Sequence, residues 1–195
     1  MISRELSAFA LVTTALLAVA CSSDAIPEET DDEIAAAAGL APSLDVATGL
    51  GVPNARMPVP GLVTAGQPTV EQLEALSAAG YTNFISLRPE SENGAGWEEA
   101  HSVDHDYDFD RIPISGAGSL TRENVEALAA LLEEARNQPT VVYCASSNRV
   151  GAMLALKAFW LDGASPEDAL ELGRAGGMTR LEGAVTELLG LEPGD

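Results

Sequence analysis

The chain has 195 residues, with 30 acidic side chains against 10 basic ones, a net charge of −20 and two cysteines. So acidic a balance argues against binding to nucleic acid or to an anionic membrane surface, since both carry the same sign of charge. The length is enough for one domain with a real core plus a linker.

Residues 1–20 read as a signal peptide. Arg4 is their one basic residue, and the uncharged apolar run from Leu6 to Val19 is too short to span a bilayer as a helix. Leu17-Ala18-Val19-Ala20-Cys21 resembles a bacterial lipobox, which implies cleavage before Cys21 and lipid modification of its sulfur. The expectation is an exported cell-envelope protein, a periplasmic lipoprotein whose membrane anchor is that lipid alone. Residues 21–50 read as an acidic, small-residue linker with a brief helix from Asp32 to Leu40, and residues 51–195 as the domain. Leu44 to Pro60, with Pro53, Pro58 and Pro60, is expected to run extended into that domain.

Strand and helix signals then alternate. Leu62-Val63-Thr64 is a first strand, and Val70 to Ala79 a helix opened by Thr69 and Gln72 at capping-box spacing and closed by Gly80. Phe84 to Leu87 is a buried second strand, followed by a polar loop from Arg88 to Gly96 and a short helix near Trp97. Arg111 to Ile114 is a third strand, placed at an edge by Pro113. Thr121 caps a long amphipathic helix, Val141 to Tyr143 is a fourth strand, and Val150 to Leu161 a helix. Ser165-Pro166-Glu167 starts another helix, and Leu181 to Leu189 forms the last. The alternation predicts a three-layer α/β fold, a mainly parallel sheet flanked by helices.

Cys144 falls where the fourth strand gives way to a helix. Unpaired backbone N–H groups and the positive end of the helix dipole favour an anion there. With Arg149 five residues on, the same field favours thiolate over thiol, so Cys144 and Arg149 are the candidate catalytic pair. Ala145, Ser146, Ser147 and Asn148 are the candidate substrate-binding residues between them. With Cys21 lipidated, Cys144 lacks a disulfide partner, and its sulfur is expected to be reactive and solvent-reachable.

Ala65-Gly66-Gln67-Pro68, Ile85-Ser86-Leu87-Arg88-Pro89 and Tyr143-Cys144 with Asn148-Arg149, in this order and spacing, resemble the phosphatase-like domain of beta-lactamase-hydrolase-like proteins. The resemblance covers roughly Val52 to Leu161, about one domain. It implies a fold similar to dual-specificity phosphatases and a cysteine–arginine anion loop, in a group whose members are labelled both phosphatase and sulfur transferase. Only this resemblance gives Gln67 a functional role. Arg88, a further substrate-binding candidate, sits with Glu90 and Glu92 on the expected rim of the site, where pocket and surface ion pairing are equally open readings.

The chain departs from the tyrosine-phosphatase pattern in two ways. Four residues separate Cys144 from Arg149 where those enzymes have five, and Val150 replaces the hydroxyl residue after the arginine. Cys-x4-Arg is the rhodanese-like spacing, and the tighter ring suits a single sulfur atom. Ser147 stands where either family often has glycine. The loop after the third strand, Ser115 to Ser119, holds no carboxylate, which leaves Asp108, Asp110 and Glu123 as acids that would need favourable folding to reach.

Three readings follow: a cysteine-dependent phosphatase-like hydrolase acting on a small anionic or phosphorylated substrate, a sulfurtransferase using a Cys144 persulfide, and a catalytically silent anion-binding module. No cofactor is expected, and no metal. His101 to Asp110 is rich in ligand-type side chains, but an EF-hand loop would need Gly at Phe109 and Glu at Ser115, so the stretch reads as a solvated acidic loop.

Overall fold

The computed structural model describes residues 43–191, apart from 106 and 137. The signal peptide, Cys21, the helix expected at Asp32 to Leu40 and most of the linker lie outside the described residues. Where the sequence suggested an extended approach, the chain begins with helix α1, Leu44–Gly49, which buries Ala47. Side chains from further along the chain hold this segment down. Tyr81 Oη donates to the Ser43 carbonyl at 3.1 Å, and Gln72 Nε2 donates to the carbonyls of Leu50 and Gly51 at 3.1 and 2.9 Å. Pro53, Pro58 and Pro60 all lie beyond it, so the stretch around Ala47 was free to coil and dock.

Five strands follow: β1 Arg56–Val59, β2 Leu62–Ala65, β3 Asn83–Ser86, β4 Asp108–Arg111 and β5 Thr140–Tyr143. They form one sheet in the order β1-β2-β5-β3-β4, antiparallel only between β1 and β2. The hairpin between those two turns at Gly61, whose φ of +79° is the left-handed conformation glycine adopts without steric cost. The third predicted strand pairs three residues earlier than expected, from Asp108, and it is an edge strand. Asp108 and Asp110 face solvent from that edge, while the extended chain beyond them buries Ile112 and Ile114 against the end of β3.

Alternation along the strands makes the layers. Val141 and Tyr143 of β5 point to one face with Val63, Ala65 and Phe84; Val142 and Cys144 point to the other with Leu62, Ile85 and Leu87. The first face is covered by α1 and α2 (Val70–Ala78) through Ala47, Leu73 and Leu76. The second is covered by α4 (Arg122–Glu134), α5 (Asn148–Trp160), α6 (Pro166–Ala175) and α7 (Glu182–Leu188). Helix α3, Glu98–Asp104, connects β3 to β4. The Thr69–Gln72 pair makes both capping-box bonds at the start of α2, at 3.2 and 3.0 Å. Helices α5 and α6 cross closely enough that a Cβ on Gly151 would lie 2.3 Å from the Gly173 carbonyl oxygen.

Candidate active site

Parallel neighbours on both sides of β5 put Cys144 at the carboxyl edge of the sheet, where ligands bind in open α/β folds. The Cys144 N–H donates to the Ala65 carbonyl at 3.1 Å, and Gly66 approaches the loop so closely that a Cβ there would meet the Ala145 carbonyl oxygen at 3.1 Å. Ser147 precedes α5 in the left-handed conformation, with φ +67° and ψ −11°. A glycine would take this shape without strain, so a serine there must be held in place. Its Oγ donates to the Gly176 carbonyl at 2.8 Å, tying the turn to the end of α6. Spent on that contact, the hydroxyl does not cap α5, whose first N–H groups keep their claim on an anion in the loop.

The side chain of Asn148 turns away from the loop. Its Oδ1 accepts from the Thr179 N–H at 2.7 Å, the Thr179 hydroxyl at 3.1 Å and the Leu181 N–H at 3.2 Å, so only its backbone remains for a ligand. Arg149 points into the site. Its Nη1 and Nη2 donate to the two carboxylate oxygens of Glu92 at 2.7 and 2.8 Å, and Nη1 also donates to the Ile114 carbonyl at 2.8 Å. Glu92 therefore occupies the two-point grip that would hold an oxyanion. Hydrogen bonds from Arg149, and after them those from Arg88, hold its carboxyl down to about 2. The Arg149 guanidinium is raised in turn, first by its hydrogen bonds to Glu92, with Cys144 adding to the rise.

Two expectations need correction. Cys144 is fully buried among core side chains, not solvent-reachable, because its side chain falls on the α5-covered face of the sheet. Arg88 is also buried, and four of its five N–H donors are committed within the protein. Nε bonds Glu92 at 2.9 Å, Nη1 bonds Gln67 Oε1 at 2.8 Å and the Gly94 carbonyl at 3.3 Å, and Nη2 bonds the Asn93 carbonyl. It shapes the loop that presents Glu92 and is turned into the protein, not open to a substrate.

Behind the loop lies a group the sequence did not disclose. Glu98, fully buried, accepts from Gln67 Nε2 at 3.1 Å, Tyr143 Oη at 3.3 Å, the Gly96 N–H at 2.8 Å and Arg111 Nη2 at 2.9 Å. Arg111 also pairs with Glu99 and donates to the Arg88 carbonyl at 2.7 Å. Burial pushes the Tyr143 phenol well above its ordinary value, keeping it a neutral donor. Two acidic residues at a helix start resemble ordinary dipole-complementing side chains, so no sequence signal separated Glu98 from Glu99.

The acids considered from sequence are badly placed. Asp108 aligns through Asn83 with Thr140, at the amino end of β5, some ~13 Å of strand from Cys144. Asp110 lies two strands from β5 beside Glu134, and Glu123 is exposed on α4. Among the described residues, Glu92 is the carboxylate in contact with the cysteine–arginine loop. A cavity of about 920 Å³ opens at the other end of the sheet around Gly61, Leu132 and Thr140. It contains neither Cys144 nor Arg149, and the chemistry-bearing groups outweigh its size in locating the site.

Three solved structures share this architecture. A candidate phosphatase (DUF442) from Shewanella putrefaciens aligns with TM-score 0.59 at 20% identity, covering 75% of this chain and 96% of that one. The candidate phosphatase nma1982 of Neisseria meningitidis gives 0.55 at 19%, over 68% and 94%. Tk-PTP in its active form gives 0.55 at 18%, over 70% and 96%. At these identities the likeness is one of fold. No curated protein matches the chain significantly. Residues 60–182, more than half of the chain, match the family model described as DSP-PTPase phosphatase fused to NAD+ kinase, and the chain belongs to that family.

Proposed function

We propose that the chain is a cysteine-dependent phosphatase-like hydrolase acting on a small phosphorylated substrate. The observation that carries this reading is the forked grip of Arg149, which closes the Cys144 loop, on a carboxylate, an arrangement that accepts an oxyanion in the same two-point geometry. The substrate's phosphoryl oxygens would displace Glu92 from Arg149 and take up the N–H groups of Ala145 to Arg149. Cys144 would attack phosphorus in line as its bond to the leaving oxygen breaks, and water would then hydrolyse the phosphocysteine to release phosphate and restore the thiolate. The narrower kinship, to the phosphatase-like domain of beta-lactamase-hydrolase-like proteins, is supported by the Gln67, Arg88 and Cys144 motifs. Export as a lipoprotein anchored through Cys21 is supported by the leader and lipobox pattern; metabolic labelling with a fatty acid tests it, and a mature N-terminus elsewhere refutes it.

Sulfur transfer is the second reading, favoured by the four-residue spacing and by the lack of a placed acid. Cys144 would attack the outer sulfur of thiosulfate, expel sulfite and carry a persulfide to a thiophilic acceptor. Steady phosphate release from an aryl phosphate, whose leaving group needs the least protonation, tests the first reading. Thiocyanate formed from thiosulfate and cyanide in its place establishes the second, and neither product leaves an anion-binding module.

A further inference from the structure

The two histidines of the chain, which the sequence reading left in a solvated loop, meet a partner that lies 27 residues before the first of them. Helix α3 carries His101, and His105 follows at its end, four residues on, so both rings lie on one side. Glu74 approaches them from helix α2. The Nε2 atoms of His101 and His105 lie 3.4 and 3.3 Å from the same oxygen, Glu74 Oε1, and the three ligand-type atoms all fall within 4.8 Å of one another. We propose that Glu74, His101 and His105 form a binding site for a divalent transition-metal ion of the zinc class, unrelated to the Cys144 chemistry.

The distances fit a shared ion more closely than a direct ion pair. A charged imidazolium donating to a carboxylate would close to about 2.7–2.9 Å. Two ligands of a tetrahedral ion with bonds of about 2.0–2.1 Å stand about 3.3–3.4 Å apart, which matches both contacts here. His101 Nε2 is buried and has no hydrogen-bond partner, an orphaned lone pair or proton that a metal ion would satisfy. The rings are held in position. His105 Nδ1 lies 2.8 Å from the His101 carbonyl oxygen, and a neutral ring donating there leaves its Nε2 lone pair toward Glu74. Trp97 packs edge-on against His101 at 5.5 Å, and the two imidazoles, stacked at 3.9 Å, would splay for both Nε2 lone pairs to converge on one ion.

Two imidazoles and one carboxylate are a ligand set that zinc accepts, with a fourth position for water; Glu74 and His105 are 44% and 40% exposed, so water reaches it. Net charge of −20 adds a long-range attraction for any cation. A bound ion would tie α2 to α3, and α3 is the helix whose first residue, Glu98, braces the Cys144 loop.

The test is Zn²⁺ titration of the full chain, without an affinity tag and with Cys21 and Cys144 both replaced by Ser so that no thiol competes. One ion should bind per chain, and both histidine ring signals in the NMR spectrum should shift together. Affinity should fall by more than about 100-fold in His101→Ala and in His105→Ala, beyond the ~10–100-fold of outer-shell changes. Glu74→Gln, an exposed isosteric change that leaves folding intact, should also weaken binding. Stoichiometric binding that survives loss of both histidines, or a folded protein whose histidine signals ignore Zn²⁺, overturns the proposal.

Discussion

Replacing Glu92 with Gln keeps the shape of the side chain that Arg149 holds and removes its charge. Lowering a carboxyl from 4.5 to about 2 corresponds to a ceiling of about 3 kcal/mol in favour of the charged, arginine-bound form. The side chain is still 30% exposed, so solvent screening reduces this to about 1.5 kcal/mol. An oxyanion entering the loop must displace that pair, so Glu92→Gln should bind vanadate or tungstate about tenfold more tightly. The readout is the dissociation constant for tungstate from isothermal titration calorimetry, with circular dichroism confirming the fold. Equal or weaker binding in a folded Glu92→Gln protein would refute the view of Glu92 as a stand-in for substrate oxygens.

The same carboxylate should govern acid stability: its contribution is present above pH 4.5 and lost as pH falls toward about 2, so acid unfolding of Glu92→Gln should be less steep across that window. Arg149→Ala should abolish tungstate binding, and Arg149→Lys should recover binding more than turnover, because a lysine restores charge without the planar fork; equal rescue of both would argue against two-point binding. Ser147→Ala keeps the left-handed strain and loses the bond to Gly176, so its melting temperature should drop, by about 1 kcal/mol of stability, below that of Ser147→Gly, which relieves strain as it loses the bond. Gly151→Ala forces apart the α5–α6 crossing and should cost about 1–3 kcal/mol in denaturant titration.

What could be read from the sequence was what is local in it. The strand–cysteine–helix junction, the Thr69 cap and the alternation of elements are each encoded within a dozen residues, and the layered sheet follows from their order. The site itself is assembled across the chain. Glu92 reaches Arg149 over 57 residues, and sequence leaves a charged residue in a polar loop indistinguishable from a solvated one. Arg88 follows a strand end on the rim of the site, where sequence leaves pocket and surface ion pairing equally open, while its commitment to Glu92, Gln67 and the carbonyls of its own loop is a matter of three-dimensional closure. Cys144 was expected at the surface because reactivity requires access, but the parity of β5 decides which face its side chain enters. Glu74 and the histidines show the same limit, since helix packing and not spacing brings them together.

The buried Glu98 joins Gln67, Gly96, Tyr143 and Arg111, so the walls built from residues 66–68, 88–96 and 143–149 are cross-braced through one carboxylate. The stretch from Ser115 to Ser119 stands outside that brace: it bonds within itself through Ser119 and leans on Asn124, and its residues are largely exposed. Insertion or substitution within these five small residues therefore leaves every bond of the brace intact. A change at Glu98, by contrast, unties all three walls at once.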